Sequence, residues 1–417
     1  MVSTVYIAKN VYGGDGLGRL GDGRVVFVPG AWAGEQVKAE IVEEKRQFVR
    51  ARLVEVVERS PARQEPPGVV LPGMVYATLS PAGECAAKEQ QLREFFDRAR
   101  LPFPLTSQIS PNPQTPKPPN IQTSKHPSRP QPPSFFNYRN KVVYHFARQE
   151  GQWAIGYRQE PSHEVVDVAE DPLARPEINA RLPEIRRAVT TLLTTGPEAV
   201  RRDTAQKGHV TIRWTKKTGV KWWVGDAPKD LVLKETTCGL DFEVPADGFY
   251  QVNPEVGERL VQSVVAAYEQ GRATAPEVLD LYCGVGVFGL CCKASRLVGI
   301  ESGRAAIAFA KRNAAAQRAT DARFFSEQVA RAFRRLRIGL QTTVIVDPPR
   351  GGLEPGVARG LANARAARIF YVSCDPATLV RDLRELTRTY DVASVQWFNM
   401  FPRTARFETF VTLVPRA

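Results

Sequence analysis

In YVSCDPATL, residues 371–379, a cysteine stands between an apolar run and a helix-like run. Cys374 is one of six cysteines, with Cys85, Cys238, Cys283, Cys291 and Cys292. Most buried cysteines are small core residues, and Cys283, Cys291 and Cys292 read as such. A thiol just past a strand end and just before a helix N-terminus has another use, because a helix start favours the thiolate, the nucleophilic form. One reaction needing it is substitution at C5 of a pyrimidine. That carbon is too weak a nucleophile until a thiolate adds to C6 and turns C5 into an enolate carbon. The C5 proton must then pass to a general base. His126, His145, His163 and His209 all lie upstream, so the candidate base is Glu408 in FPRTARFETF. No CxxC pair or zinc-site spacing occurs, which predicts reduced thiols and no metal site.

Two further stretches carry polar groups suited to a cofactor. DLYCGVGVFG holds Gly284, Gly286 and Gly289 in the G-x-G-x-x-G spacing that lets a strand-to-helix turn approach a nucleotide-like ligand, without separating a nicotinamide cofactor from S-adenosylmethionine. RLVGIE ends in Glu301, placed as the carboxylate that accepts hydrogen bonds from a ribose. TTVIVD ends in Asp347, followed by PPRGGL with Arg350.

All of these loops follow short apolar runs, and from residue 246 onward such runs alternate with helix-like segments. That rhythm predicts an α/β domain over 246–417 with a Rossmann-like, mostly parallel sheet of seven strands, whose ligands sit at the carboxyl ends of the strands. Residues 1–60 read as short β runs separated by glycine turns, a small OB-like barrel. Its GGDGLG is followed by another strand rather than a helix, so it reads as hairpin turns and not as a phosphate loop. Residues 61–245 form a central α+β domain. Within it, 102–133 is rich in proline and poor in apolar residues, which predicts a disordered insertion. HVTIRWTKKTGVKWWVG interleaves Arg213, Lys216, Lys217 and Lys221 with Trp214, Trp222 and Trp223, a pattern suited to tracking an RNA backbone and stacking bases. The same pattern also fits a solvated ribbon whose tryptophans face a core.

The formal net charge of +13 points to a polyanionic partner. No signal segment or long apolar run is present, so the expectation is a cytoplasmic protein with no membrane span.

Taken in order, DLYCGVGVFGL, VDPPRGGL, YVSCDPATL and FPRTARFET resemble the RNA uracil-5 methyltransferases that make 5-methyluridine, and NYRNKV, GYRQEPSHEVVDV and GFYQVNPEV match that family's upstream motifs. An Asp-Pro-Pro loop is typical of nucleobase methyltransferases. RNA cytosine-5 enzymes carry a cysteine in it and amino-methylating enzymes an aromatic residue, and Arg350 is neither. The resemblance implies a class I methyltransferase domain with an N-terminal TRAM barrel and a central RNA-binding domain. It implies S-adenosylmethionine as methyl donor and RNA as partner, first of all 23S rRNA because the tRNA-uracil-54 type lacks a TRAM domain. tRNA is the second choice, and a catalytically silent RNA-binding assembly factor is the alternative from a different class. The chain is expected to act as a monomer. Cys374 would be the nucleophile and Glu408 the base. Gln251 would lie between cofactor and uracil, with Phe249 and Arg350 also on the substrate side. Tyr282, Gly284, Gly286, Glu301 and Asp347 would join Gln251 in binding the cofactor. Many ribosomal members hold an iron-sulfur cluster on four cysteines. Here only Cys85 remains and the fourth position is Asp171, so no cluster is expected. The family's Asn-Pro after the nucleophile is Asp375-Pro376, and its usual histidine in the last motif is Arg403, a change expected to alter RNA contacts.

Overall fold

The computed structural model describes residues 2–66, 68–109, 135–159, 162–198, 201–202 and 208–416. They fall into two compact units. The first contains residues 1–94 and 401–407. Here β1 (Val2–Asn10), β2 (Gly16–Arg19), β3 (Val25–Val28), β4 (Gln36–Glu44) and β5 (Phe48–Glu58) close into a barrel in the order β1-β2-β3-β5-β4. Alternate residues point inward, and Val5, Ile7, Val26, Val28, Val37, Ala39, Val49 and Ala51 fill the interior. Gly13 and Gly14, both at positive φ, turn β1 into β2, the hairpin reading of GGDGLG. Arg403, expected to face RNA, is instead wholly buried in this unit. Its Nη1 donates to the carbonyls of Tyr76 (3.0 Å) and Leu79 (2.5 Å), and its guanidinium lies 3.5 Å from Glu84. α1 (Pro81–Ala99) supplies Glu84 together with Lys88, its buried partner at 2.8 Å.

The second unit contains the described part of 95–110 with residues 137–400 and 408–417. β7 (Lys141–Gln149), β8 (Gln152–Arg158), β9 (Val165–Asp167), β10 (His209–Thr215) and β11 (Gly219–Val224) make an antiparallel sheet in the order β11-β10-β7-β8-β9, with α2 (Pro176–Thr194) against β10 and β11. The hairpin β12 (Val232–Thr237) and β13 (Leu240–Pro245) leads to α3 (Pro254–Glu269), and the α/β part follows. Its strands are β14 (Glu277–Leu281), β15 (Arg296–Glu301), β16 (Ala322–Ser326), β17 (Thr342–Val346), β18 (Arg368–Ser373), β19 (Tyr390–Phe398) and β20 (Glu408–Pro415). The helices between them are α4 (Val287–Cys291), α5 (Arg304–Ala316), α6 (Val329–Phe333), α7 (Val357–Asn363) and α8 (Pro376–Leu386).

The sheet has eight strands rather than seven, in the order β16-β15-β14-β17-β18-β20-β19-β6. The added edge strand is β6 (Leu105–Ile109), parallel to β19, and it comes from the stretch expected to be disordered. Leu105 to Ile109 is free of proline, so it keeps every N–H it needs for a ladder. The rest of that insertion, from 110 on, lies outside the described residues. The central strands are apolar throughout, as strands covered on both faces must be: Ile369, Phe370, Tyr371 and Val372 of β18 are wholly buried. No described helix is long and apolar enough to cross a membrane.

Candidate active site

Cys374 and Glu408 come from antiparallel neighbours. Ser373 pairs with Thr409, so β18 runs out into Cys374 where β20 begins with Glu408. On the other side of β18, Val346 of β17 pairs with Tyr371, so Asp347 leaves the sheet at the same edge. Two local features end β18 abruptly. The Asp375 carboxylate caps α8 by accepting from the N–H groups of Ala377 (3.0 Å) and Thr378 (3.2 Å), and Pro376 occupies the first helical position. Gln251 likewise precedes a cap of this kind, Asn253-Pro254 at the start of α3.

The loop after Asp347 is fastened to α8. Thr378 Oγ1 donates to the Arg350 carbonyl (3.2 Å), and Arg381 Nη2 donates to the Gly351 carbonyl (2.9 Å). Buried Asp382 accepts from Tyr371 Oη (2.7 Å) and from the Leu353 N–H (2.8 Å). Gly352 is at φ +75°, and a β-carbon there would stand 2.5 Å from Arg381 Nη2 and 2.6 Å from Asp382 Oδ2, so only glycine fits. One carboxylate thus joins β18, α8 and the loop bearing Arg350. Nothing in its sequence context marked Asp382 out, since it reads as one charge on an amphipathic helix.

Cys374, Glu408, Asp347 and Arg350 feel one another electrostatically. Burial pushes Glu408, 4 % exposed, well above the usual carboxylate range, Asp347 pushes it further, and Arg350 opposes. Burial also pushes Asp347 up to about 7. The Cys374 thiol is pushed up to about 12, first by burial and then by Glu408, Asp347 and Asp375, with Arg350 pulling the other way. The expected thiolate at the helix start is therefore not the resting form. Burial is the main cause, with the carboxyl groups of Glu408, Asp347 and Asp375 adding to it.

The cofactor candidates line the same edge of the sheet. β14 ends at Leu281, and Tyr282 turns through φ +63° into Gly284 (φ +53°) and Gly286 (φ +87°). A β-carbon at Gly284 would meet nothing within 4 Å, so the turn faces open space. The turn is held from below by Asp280, which is buried on β14 and accepts from the Gly289 N–H (2.9 Å). Asn313 Nδ2 also donates to the Val285 carbonyl (3.1 Å). Asp280 does not stand out in the sequence because it sits inside an apolar strand, yet one of its oxygens holds the loop and the other is buried with no hydrogen-bond partner among the described residues. Glu301 closes β15. Its Oε1 accepts from Ser302 Oγ (3.0 Å) and from the Gly303 N–H (2.7 Å), while among the described residues Oε2 accepts nothing. Gln251 Oε1 is buried without a donor. The open glycine turn and these two unused acceptors fit an adenosine-bearing amino-acid cofactor, which offers ribose hydroxyls and an ammonium group.

Phe249 and Gln251 are placed by a separate segment, 246–252, ahead of α3, and Phe249 is 72 % exposed. The basic and aromatic residues of β10 and β11 do not form one RNA-facing surface. Arg213 and Trp223 are buried, and Arg175 stacks over Trp214 at 4.1 Å. Asp171, at the place of the fourth cluster cysteine, accepts from Tyr144 Oη (3.0 Å), Tyr157 Oη (2.7 Å) and the N–H groups of Leu173 and Ala174. Engaged in this way, and with Cys85 the one thiol of that region, these residues do not fit an iron-sulfur cluster.

An α/β sheet with a glycine turn after β14, an acid after β15 and a reactive-residue pair between β18 and β20 has the methyltransferase fold. Residues 229–416 match the family model described as tRNA (uracil-5-)-methyltransferase, and residues 2–54 match the TRAM domain. Both matches, with the relatives below, are to S-adenosylmethionine-dependent RNA (uracil-5-)-methyltransferases and their RNA-binding module. It is 28% identical to an uncharacterized RNA methyltransferase of Thermotoga maritima, over 99% of each chain. It is 27% identical to the 23S rRNA (uracil(1939)-C(5))-methyltransferase RlmD of Pectobacterium atrosepticum, over 97% of this chain and 92% of that one. In fold it is similar to the tRNA (uracil-54, C5)-methyltransferase of Pyrococcus abyssi, solved with S-adenosyl-L-homocysteine. That match has a TM-score of 0.71, covers 98% of this chain and 99% of the other, and has 22% identity.

Proposed function

We propose that the chain methylates C5 of a uridine in 23S rRNA through a covalent adduct on Cys374. The observation that carries this reading is the meeting of Cys374 and Glu408 at the ends of β18 and β20, beside Asp347 and Arg350. Tyr282, Gly284, Gly286, Glu301, Asp347 and Gln251 hold S-adenosylmethionine, which when bound supplies an electrophilic methyl group on a sulfonium. Cys374 gives up its proton to solvent water and its sulfur adds to C6 of the uracil, moving the C5–C6 π electrons onto C5 and the O4 carbonyl. C5 takes the methyl group. The Glu408 carboxylate then removes the C5 proton, the double bond re-forms, and the C6–S bond breaks to return Cys374. Arg350, exposed at the rim, favours negative charge on Cys374 and Glu408. The target uridine must leave its stack to reach a partly buried thiol, which suits an unpaired RNA loop.

Support for ribosomal RNA is the full-length similarity to a 23S rRNA enzyme. The deciding experiment incubates the protein and tritiated S-adenosylmethionine with 23S rRNA and, separately, with tRNA, both from a strain lacking the gene. Label on uridine C5 of 23S rRNA is expected. Label on tRNA alone overturns the substrate, and label on neither overturns the activity.

A further inference from the structure

Residues 246–252 run from the hairpin to α3 as a strap tied down along its length. Arg213 Nη1 donates to the carbonyls of Ala246 (3.2 Å) and Gly248 (2.9 Å). Lys141 Nζ donates to the Asp247 carbonyl (3.4 Å), and Asn140 Nδ2 to the Gln251 carbonyl (3.3 Å). The Tyr250 hydroxyl shares a short hydrogen bond with Thr237 Oγ1. Between these ties Phe249 stands 72 % exposed, the most exposed large apolar side chain among the described residues. Leaving a phenylalanine in water forfeits about 2 kcal/mol of burial, and a fold that fixes the backbone on both sides of it gains nothing for stability by doing so. A fixed, exposed ring is instead a surface on which a base stacks with little ordering cost.

Arg213 is the unusual member. It is 1 % exposed, it lies 3.6 Å from the Glu235 carboxylate, and its Nε and Nη2 have no hydrogen-bond partner among the described residues. A buried guanidinium satisfied in part is costly, and an apolar side chain would pack beside Trp223 without that cost. What Arg213 does that no apolar residue could is grip two carbonyls directly ahead of Phe249.

We propose that Arg213 is a positioning residue for RNA recognition: its clamp on the Ala246 and Gly248 carbonyls holds Phe249 outward as the stacking face for an unpaired pyrimidine. This rests on the uridine-methylating reading above. Arg213 therefore acts on RNA binding, through Phe249, and leaves cofactor binding and the chemical step alone. The test compares Arg213→Met, Arg213→Lys, Phe249→Ala and the double variant Arg213→Met/Phe249→Ala with the wild type. Readouts are KM for RNA, kcat, cofactor affinity by calorimetry and thermal unfolding. Arg213→Met should raise KM for RNA about tenfold, with kcat within about threefold and cofactor affinity unchanged. Arg213→Lys, which keeps a donor, should recover part of the loss. The double variant should be no worse than Phe249→Ala alone, because the clamp has nothing left to hold. Independent, multiplying losses from Arg213→Met and Phe249→Ala overturn the proposal, as does a fall in cofactor affinity and kcat alongside KM. If Arg213→Met does not fold, the Arg213→Lys and Arg213→Lys/Phe249→Ala pair carries the same comparison. Should the wild type methylate no RNA, the functional reading fails by itself. Binding of unmodified RNA by fluorescence anisotropy to the same variants still decides the role of Arg213.

Discussion

Cys374 and Glu408 are set against each other by a single register: because Ser373 pairs with Thr409 across β18 and β20, the thiol leaves one strand where the carboxyl enters the next. Sheet register is fixed by which face each side chain buries, and both strands are apolar on both faces, so a slip by one residue would turn both groups away from the site. The two groups nonetheless have different tasks, and removing each should stop turnover at a different point.

Cys374→Ala should lower methyl transfer by about a thousandfold or more with no change in thermal unfolding, since the side chain is partly exposed and caps nothing. It should also lose all denaturation-resistant complex with 5-fluorouridine RNA, from which the wild type cannot eliminate fluorine as a cation. Glu408→Gln should lower kcat by about 10² to 10⁴ yet accumulate a covalent complex with ordinary RNA on denaturing gels, because addition precedes proton removal. A Glu408→Gln protein that is slow and forms no such complex would place Glu408 before the adduct rather than after it.

The raised carboxyl groups make a pH prediction of definite sign. Asp280 and Asp347 are pushed by burial up to about 7 and Glu408 well above the usual carboxylate range, so each is more readily protonated folded than unfolded. Their contribution to stability is complete below the ordinary carboxylate range and is lost as pH rises through about 7 and beyond. The cofactor-free wild type should therefore lose thermal stability from pH 5 to pH 9, and Glu408→Gln, which has no proton to lose there, should lose less. Parallel melting curves for the two proteins would refute this. Activity should run the opposite way and rise with pH, because turnover needs the Cys374 thiolate and the Glu408 carboxylate.

Much of this site was legible in the sequence because its loops are punctuated. Gly284, Pro348 and Pro376 each mark where an apolar strand must stop, and the reactive residues stand beside them. What escaped notice lies inside regular elements. Asp280 and Asp382 look like ordinary charges on a strand and a helix until their N–H donors are seen in the glycine turn and the Arg350 loop. Arg213 alternates with Trp214 as a solvated ribbon residue should, but β10 is buried on both faces from Val210 to Arg213, which local alternation cannot report. β6 was missed because flanking prolines dominate its composition, although pairing with β19 requires only five residues free of them.

Gly289 makes a sharper test of the cofactor turn than the glycines at positive φ. A β-carbon there would stand 2.5 Å from Leu297 Cδ1 and 3.0 Å from Asp280 Oδ2, against the contact that fixes α4 to β14. Gly289→Ala should cost about 1 to 3 kcal/mol of stability by denaturant titration and weaken S-adenosylmethionine binding by calorimetry. A variant of normal stability and normal cofactor affinity would show that α4 is free to move away from the sheet.

Asp375 stands where the family that the sequence resembles is expected to carry asparagine, and the structure separates what its side chain does from what its charge does. As a cap it accepts from the N–H groups of Ala377 and Thr378, a task the asparagine carbonyl performs equally well. As a charge it helps burial, Glu408 and Asp347 to keep the neighbouring Cys374 protonated, and it is the smallest of these contributors. Asp375→Asn should therefore leave α8 and thermal stability intact while lowering the thiol pKa. Alkylation of Cys374 by iodoacetamide at neutral pH should become about two- to threefold faster, since reactivity there follows the thiolate fraction. Following the alkylation rate against pH separates the two effects: a curve shifted to lower pH with an unchanged plateau is the expected result. An unshifted curve would mean that Asp375 serves the helix alone.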